Sequence, residues 1–279
     1  MRAVSRWWAT VRTTKQAGFT LVELVMVIVI LGVLGSMVAV FMRGPIDAYF
    51  AGARRAALTD VADTVVRRIA RDVQVALPNS VRQTNNQCLE FIPTRTGGRY
   101  RTQPDGTGAG DALDFSTADA SFDMLGSNSA VSAQAIVAGD VVVVYNLGIS
   151  GADAYNADNT SPVLGVSAGS LAGETKIQIT PKQFPLASGS HRFQVIPADE
   201  KIVAYVCRGG NLYRATHHAY SSSCPSTGGT LIAQNVSCAI TYNGSDLQRN
   251  ALVQLTMGFT DSSGEVVSLY HEVHVNNTP

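Results

Sequence analysis

The sequence predicts an α+β chain, a long N-terminal helix packed on an antiparallel β-sheet head. Three observations predict it. Residues 19–42 are 24 in number and carry a single charge, Glu23. Residues 45–77 then repeat apolar side chains at three- and four-residue steps, the period of an amphipathic helix. Beyond Pro78 the period falls to two, the signature of half-buried strands.

The first element is long enough to span a bilayer, whose core takes about 20 apolar residues at about 1.5 Å rise each. Arg43 and Gly44-Pro45 close it. Ahead of it lie Arg2, Arg6, Arg12 and Lys15, with no acid before Glu23. That asymmetry keeps the N-terminus cytoplasmic and sends the rest across. A secretory signal would have an apolar region of about 7–15 residues with a small-residue cleavage site behind it. Here the run is longer, and the small residue, Gly18, lies ahead of it. A plain signal anchor leaves Glu23 unexplained, because a carboxylate in a spanning helix costs about 2.5–3.5 kcal/mol on insertion scales. A cut between Gly18 and Phe19 would place a free ammonium four residues from Glu23. In a packed helical array, Glu23 of one subunit would then meet the terminus of its neighbour. Both charges would be compensated only after assembly, which favours one axial register.

The stretch "KQAGFTLVEL" resembles the class III signal of type IV prepilins and pseudopilins. It has a basic leader, Gly18 before the cut, Phe19 first after it and Glu23 fifth. The resemblance implies a pilin-like fold, removal of residues 1–18 by a membrane prepilin peptidase, and N-methylation of Phe19. The chain has 21 Lys+Arg and 21 Asp+Glu; loss of the leader's four cations leaves 17 against 21, a formal charge of −4. An acidic mature chain carries no basic field for nucleic acid. The expected organisation is a leader at 1–18, a transmembrane helix at 19–43, an amphipathic helix at 44–78 and a periplasmic β-rich head at 79–279.

In the amphipathic half, Phe50, Ala53, Ala57, Val61, Val65, Ile69 and Val73 form the apolar stripe. Arg54, Arg55, Asp63, Arg67, Arg68, Arg71 and Asp72 form the other side, with mixed signs that suit a solvated face. Pro78 disfavours helical geometry at Leu77 and is expected to stop the helix there.

In the head, "CLEFIP" (88–93), "DVVVVYN" (140–146), "TKIQIT" (175–180) and "EKIVAYVC" (200–207) read as strands. "RGGN" leads into "LYRAT" (212–216) as a hairpin. "ALVQLTMGFT" (251–260) and "EVVSLYHEVHV" (265–275) make another, with Val267, Leu269, His271, Val273 and Val275 on one face. Such a sheet packed on the helix is the natural two-layer solution. Two long loops, 94–111 and 147–162, are expected to interrupt it.

The cysteines are Cys88, Cys207, Cys224 and Cys238, all in the exported part, where disulfides persist. Four cysteines allow three pairings. The hairpin favours Cys207–Cys224, leaving Cys88–Cys238. Asp105, Asp111, Asp153 and Asp158, in the two loops, are candidate calcium ligands by oxygen type, but their spacing fits no EF-hand and turn chemistry explains them equally well. No C-x-x-C pair supports zinc, and His217-His218 reads as a solvated pair. No nucleophile elbow, H-E-x-x-H or phosphate loop points to an enzyme, and no cofactor is implied.

Beyond the signal, "AALTDVADTVVRRIARDVQVALPNSVR", "CLEFIPTRTGGRYR", "ALDFSTADASFDMLG" and "VVVVYNLGISGADAYNADN" resemble the MshO family of minor pilins of mannose-sensitive haemagglutinin pili. That resemblance implies a subunit that initiates or caps an adhesive pilus. Its partners would be the prepilin peptidase, other major and minor pilins and the inner-membrane assembly machinery. It would start in the inner membrane and end in the pilus. The alternatives are a J-type minor pseudopilin of a type II secretion system and a tip-borne module that binds a surface or glycan.

Overall fold

The computed structural model describes residues 18–128, 132–217, 220, 224–244 and 250–279. One long helix, α1 (Leu21–Gln74), opens the described chain. The chain divides into two compact units, Met1–Arg54 and Arg55–Pro279. In the first, the described residues from Leu21 are helical, and the helix runs on through Gly44 and Pro45. Its apolar side chains face outward, as in Ile28, Leu31 and Phe41.

The second unit holds residues 55–74 of α1 and every described strand. β1 (Arg82–Asn85) and β2 (Cys88–Phe91) follow the helix. Then come β3 (Thr96–Arg99), β4 (Asp119–Met124), β5 (Val141–Val144), β6 (Thr160–Ala168), β7 (Thr175–Lys182) and β8 (Arg192–Ile196). β9 (Ile202–Arg208), β10 (Asn211–His217), β11 (Thr230–Gln234), β12 (Val236–Asn243), β13 (Asn250–Thr260) and β14 (Val266–Asn276) complete it. The strands form three sheets, ordered β1-β2-β9-β10-β11, β12-β13-β14 and β3-β8-β5-β6-β7-β4. Every described pairing is antiparallel.

The first two sheets share one core with the helix. Ala62, Val65, Val66, Ile69, Ala70 and Val73 pack against Leu89, Phe91, Val203, Tyr205, Leu255 and Val273. The predicted stripe is therefore buried at Val65, Ile69 and Val73, whereas Phe50, Ala53, Ala57 and Val61 are exposed. The two sheets are stitched side by side. The Gln83 amide donates to Ile240 O at 2.8 Å and accepts from Tyr242 N–H at 2.7 Å, and Ile240 N–H donates to Asn86 O at 2.8 Å.

The third sheet is an insertion. β2 and β9 are neighbours, with Phe91 opposite Val203, so residues 92–201 leave and return between two paired strands. The ends of the inserted sheet meet: Tyr100 bridges Met124, Arg101 N–H donates to Asp123 O at 2.9 Å, and Leu125 N–H to Arg99 O at 2.8 Å. This contact ties the end of β3 to the end of β4 and covers part of each edge. Its own core includes Tyr100, Phe122, Ile177, Phe184, Phe193 and Val195. Gly97 is required there, since a Cβ would lie 2.7 Å from the backbone oxygen of Phe193.

Three expectations need correction. The helix ends at Gln74, three residues before Leu77. Pro78 is not what stops it: Ala76 bridges Pro93, Leu77 N–H donates to Ile92 O at 2.7 Å, and Thr94 N–H donates to Val75 O at 3.0 Å. The last turn is given up for a strand-like tie. The 94–111 loop contains β3, and the 147–162 loop contains a short 3-10 turn (Ala154–Asn156) and the start of β6. Glycine and aspartate there mark turns between short strands, not breaks in a sheet.

Candidate functional site

The expected processing region lies at the helix start. Gly18, Phe19 and Thr20 are non-helical and exposed, and the helix begins at Leu21. Thr20 caps it: its hydroxyl accepts Glu23 N–H at 3.3 Å and its carbonyl accepts Leu24 N–H at 3.1 Å. Thr20-Leu21-Val22-Glu23 has the spacing of a capping box, a start signal legible in the sequence itself. Glu23 thus sits in the first helical turn, where the helix dipole favours a carboxylate. It is exposed in the single chain. The helix is long and apolar enough to cross a membrane. Residues 1–17 of the leader, with Arg2, Arg6, Arg12 and Lys15, lie outside the described residues.

The four cysteines form two disulfides, Cys88–Cys224 and Cys207–Cys238. This overturns the expected Cys207–Cys224 and Cys88–Cys238 pairs. The reason is the two-residue period of a strand. Cys207 faces the helix side of its sheet with Cys238, whereas Val206 faces the other side with Cys88 and Cys224. A Cys207–Cys224 bond would have to cross the sheet.

Asp72, assigned to a solvated helix face, instead docks the helix on the sheet. It accepts Tyr205 OH at 2.8 Å and Arg214 Nε at 2.9 Å, and Arg214 also holds Glu200 at 2.6 and 3.0 Å. Burial, then the Asp72 carboxylate, pushes the Tyr205 hydroxyl well above its ordinary range. Asp63 and Arg67, one turn apart on the exposed helix face, pair at 2.6 Å.

A second polar cluster fastens the insertion. Asn146 is fully buried; its amide donates to Pro78 O at 2.7 Å and accepts Ala154 N–H at 2.8 Å. Its backbone carbonyl accepts Asn79 Nδ2 at 2.9 Å, and Asn79 N–H donates to Asn277 Oδ1 at 3.1 Å. Arg95 holds the buried Asp140 at 3.1 Å and Asp199 at 3.1 Å, clamping the two crossings of the chain. A polar cleft of about 350 Å³ opens beside this seam, lined by Asn79, Arg82, Gln83, Tyr155 and Tyr242 among others. Its polar groups largely serve the fold: Tyr155 OH donates to Ser80 O at 2.9 Å, and Arg82 lies 3.5 Å over the Tyr155 ring.

The four loop aspartates act within their own turns or on nearby cations. Asp105 Oδ1 accepts Thr107 N–H, Thr107 OH and Ala109 N–H at 2.8, 2.6 and 2.9 Å; these bonds, the Thr107 hydroxyl first, hold its carboxyl below the usual range. Asp111 holds Ser121 OH at 2.6 Å and Lys176 at 2.9 Å. Asp153 caps the 3-10 turn through Tyr155 N–H at 3.0 Å, and Asp158 accepts Gly151 N–H at 3.0 Å. Among the described residues no group of three or more His, Cys, Asp or Glu gathers as a metal would require. His217 ends β10, and His218 lies outside the described residues.

Comparison with known proteins bears on the N-terminus. Residues 13–39 match the family model "Prokaryotic N-terminal methylation motif". No curated protein and no solved structure matches the chain. The matched segment contains Gly18, Phe19, the Thr20 cap and Glu23, and it runs into the apolar helix. By this segment the chain carries a type IV pilin-like prepilin signal on a membrane-length helix, the mark of pilin- and pseudopilin-like structural proteins.

Proposed function

We propose that the chain is a minor type IV pilin-like subunit that helps initiate or cap an adhesive pilus of the mannose-sensitive haemagglutinin type. The single observation that carries the reading is the methylation motif over residues 13–39, with Gly18, Phe19 and Glu23 in prepilin register. A prepilin peptidase cuts between Gly18 and Phe19 and methylates the new amino group. The helix holds the chain in the inner membrane, N-terminus cytoplasmic and head exported, until other pilins take it up. In the filament, Glu23 meets the Phe19 ammonium of a neighbour.

Two features support a scarce subunit over a repeated shaft subunit. The segments quoted above resemble MshO proteins, and the head carries an insertion at 92–201 that a repeating lattice would have to accommodate at every position. The role is structural, with no catalytic step assigned to the head.

N-terminal mass spectrometry of protein recovered from membranes tests the first step. A chain beginning at N-methylated Phe19 is expected; one beginning at Met1, or cut behind the apolar run, overturns the reading. A deletion strain scored for surface piliation and for type II secretion separates the pilus from the pseudopilin assignment. Loss of pili with secretion intact supports the pilus, and the reverse result supports the J-type pseudopilin.

A further inference from the structure

The three-stranded sheet treats its two edges differently. The Asp261 N–H bond to Glu265 O at 3.0 Å sets the phase of the β13–β14 ladder. Hydrogen-bonded pairs alternate in an antiparallel ladder. Odd-numbered residues of β14 therefore bond to β13, and Val266, Ser268, Tyr270, Glu272, His274 and Asn276 point their backbone groups outward. The same alternation sends the even-numbered groups of β12 outward, and there they are used: Val236 N–H donates to Gly210 O at 2.8 Å, Ile240 N–H to Asn86 O and Tyr242 N–H to Gln83. Among the described residues no backbone hydrogen bond reaches the outer edge of β14.

Proteins blunt such edges with short strands, bulges, proline or inward charge. β11 is short and its pairing shifts register at Leu212/Tyr213; β1 carries a shift at Gln83/Asn85 and is covered by β12; the end strands of the inserted sheet, β3 and β4, are 4 and 6 residues long and meet at Tyr100 and Met124. β14 has none of these devices. It is 11 residues long, pairs in unbroken register from Val266 to Asn276, and contains no Pro, Lys or Arg.

We infer that this edge accepts an extended strand from a different chain, one that alternates apolar residues with Lys or Arg. The apolar side would continue the face of Leu269, Val273 and Val275, which belongs to the head's core. The polar side would lie beside Tyr270 and Glu272, where the exposed charge is acidic. A second copy fits poorly. A second β14 edge carries the same Glu272 and offers neither Lys nor Arg to answer it. Pairing β14 with a neighbour's β12 is blocked by Gln83 and Asn86. The inference does not depend on the proposed pilin role.

The test is residue-resolved hydrogen exchange on the full-length protein in detergent, using as probes a synthetic peptide alternating Val with Lys and one alternating Val with Glu. Without peptide, the amides of Ser268, Tyr270 and Glu272 are expected to exchange at least about tenfold faster than those of Leu269 and His271, which face β13. The Val/Lys peptide is expected to slow them about tenfold and the Val/Glu peptide to leave them unchanged. Ser268→Pro removes one outward N–H while sparing the β13 ladder, because edge strands tolerate proline there. It is expected to abolish protection while both disulfides are retained. Glu272→Lys is expected to reverse the peptide preference, and it keeps the test intact if the proline variant misfolds. Protection by neither peptide, equal protection by both, or unchanged binding by a folded Ser268→Pro variant overturns the inference. Protection that grows with protein concentration alone assigns the edge to a second copy and overturns it too.

Discussion

Cys207 on β9 is bonded to Cys238 on β12, so a covalent link joins the five-stranded and three-stranded sheets within the core they share with the helix. Cys88–Cys224 lies on the opposite face of the five-stranded sheet. Peptide mapping without reduction should therefore yield linked Cys207/Cys238 and Cys88/Cys224 peptides. The double change Cys207→Ser with Cys238→Ser should cost about 2–4 kcal/mol in urea unfolding. A linked Cys207/Cys224 peptide would refute this arrangement.

Glu23 has two separable roles to test. Its backbone N–H is held by the Thr20 cap. Thr20→Ala should loosen only the helix start, by about 1 kcal/mol. On the proposed pairing of Glu23 with a neighbour's Phe19 ammonium, Glu23→Val should spare leader removal and membrane level yet lower incorporation into filaments. Breaking such a pair costs about 3–5 kcal/mol when fully buried, and less near the membrane edge. Glu23→Asp should recover part of the loss. Equal piliation defects in Thr20→Ala and Glu23→Val would show that capping accounts for the whole effect.

Asn146 ties the insertion to the helix exit. Asn146→Ala removes the partner of the buried Ala154 N–H and Asn159 Nδ2 and of the half-buried Pro78 O, at about 1–3 kcal/mol for each buried group, and should destabilise the head by about 2–6 kcal/mol. The first sign should be faster proteolysis near 77–80 and 145–159, before the helix core opens. Protease resistance equal to wild type would remove the seam as a weak point.

Asp123 gives a pH signature. Burial opposes its charge, but the N–H groups of Asp111 and Ser170 and the nearby Lys176 hold its carboxyl below the ordinary value. A depressed folded pKa stabilises above the unfolded value of about 3.9, and the contribution is lost as pH falls through the folded value. Asp123→Asn should therefore lower the thermal midpoint at pH 7, and the gap to wild type should close below about pH 4. A gap that stays constant down to pH 3 would contradict this.

The sequence by itself determined the N-terminus and the local elements. A membrane-length run, a lone Glu23 and the Gly18-Phe19 junction are contiguous features, and periods of 3.6 and 2 located the helix and strands such as β9, β13 and β14. Tertiary structure decided what met what. That β2 pairs with β9 across residues 92–201, that the ends of the inserted sheet meet at Tyr100 and Met124, and that Asp72 turns inward to Arg214 depend on contacts between distant residues. The disulfides show why. A strand's alternation tells which residues share a face, but not which face meets the helix. Cys207 and Cys224 flank a hairpin and lie near in sequence, yet the sheet stands between them. Only packing of the apolar side against Val65, Ile69 and Val73 fixed Cys207 on one side and Cys88 and Cys224 on the other.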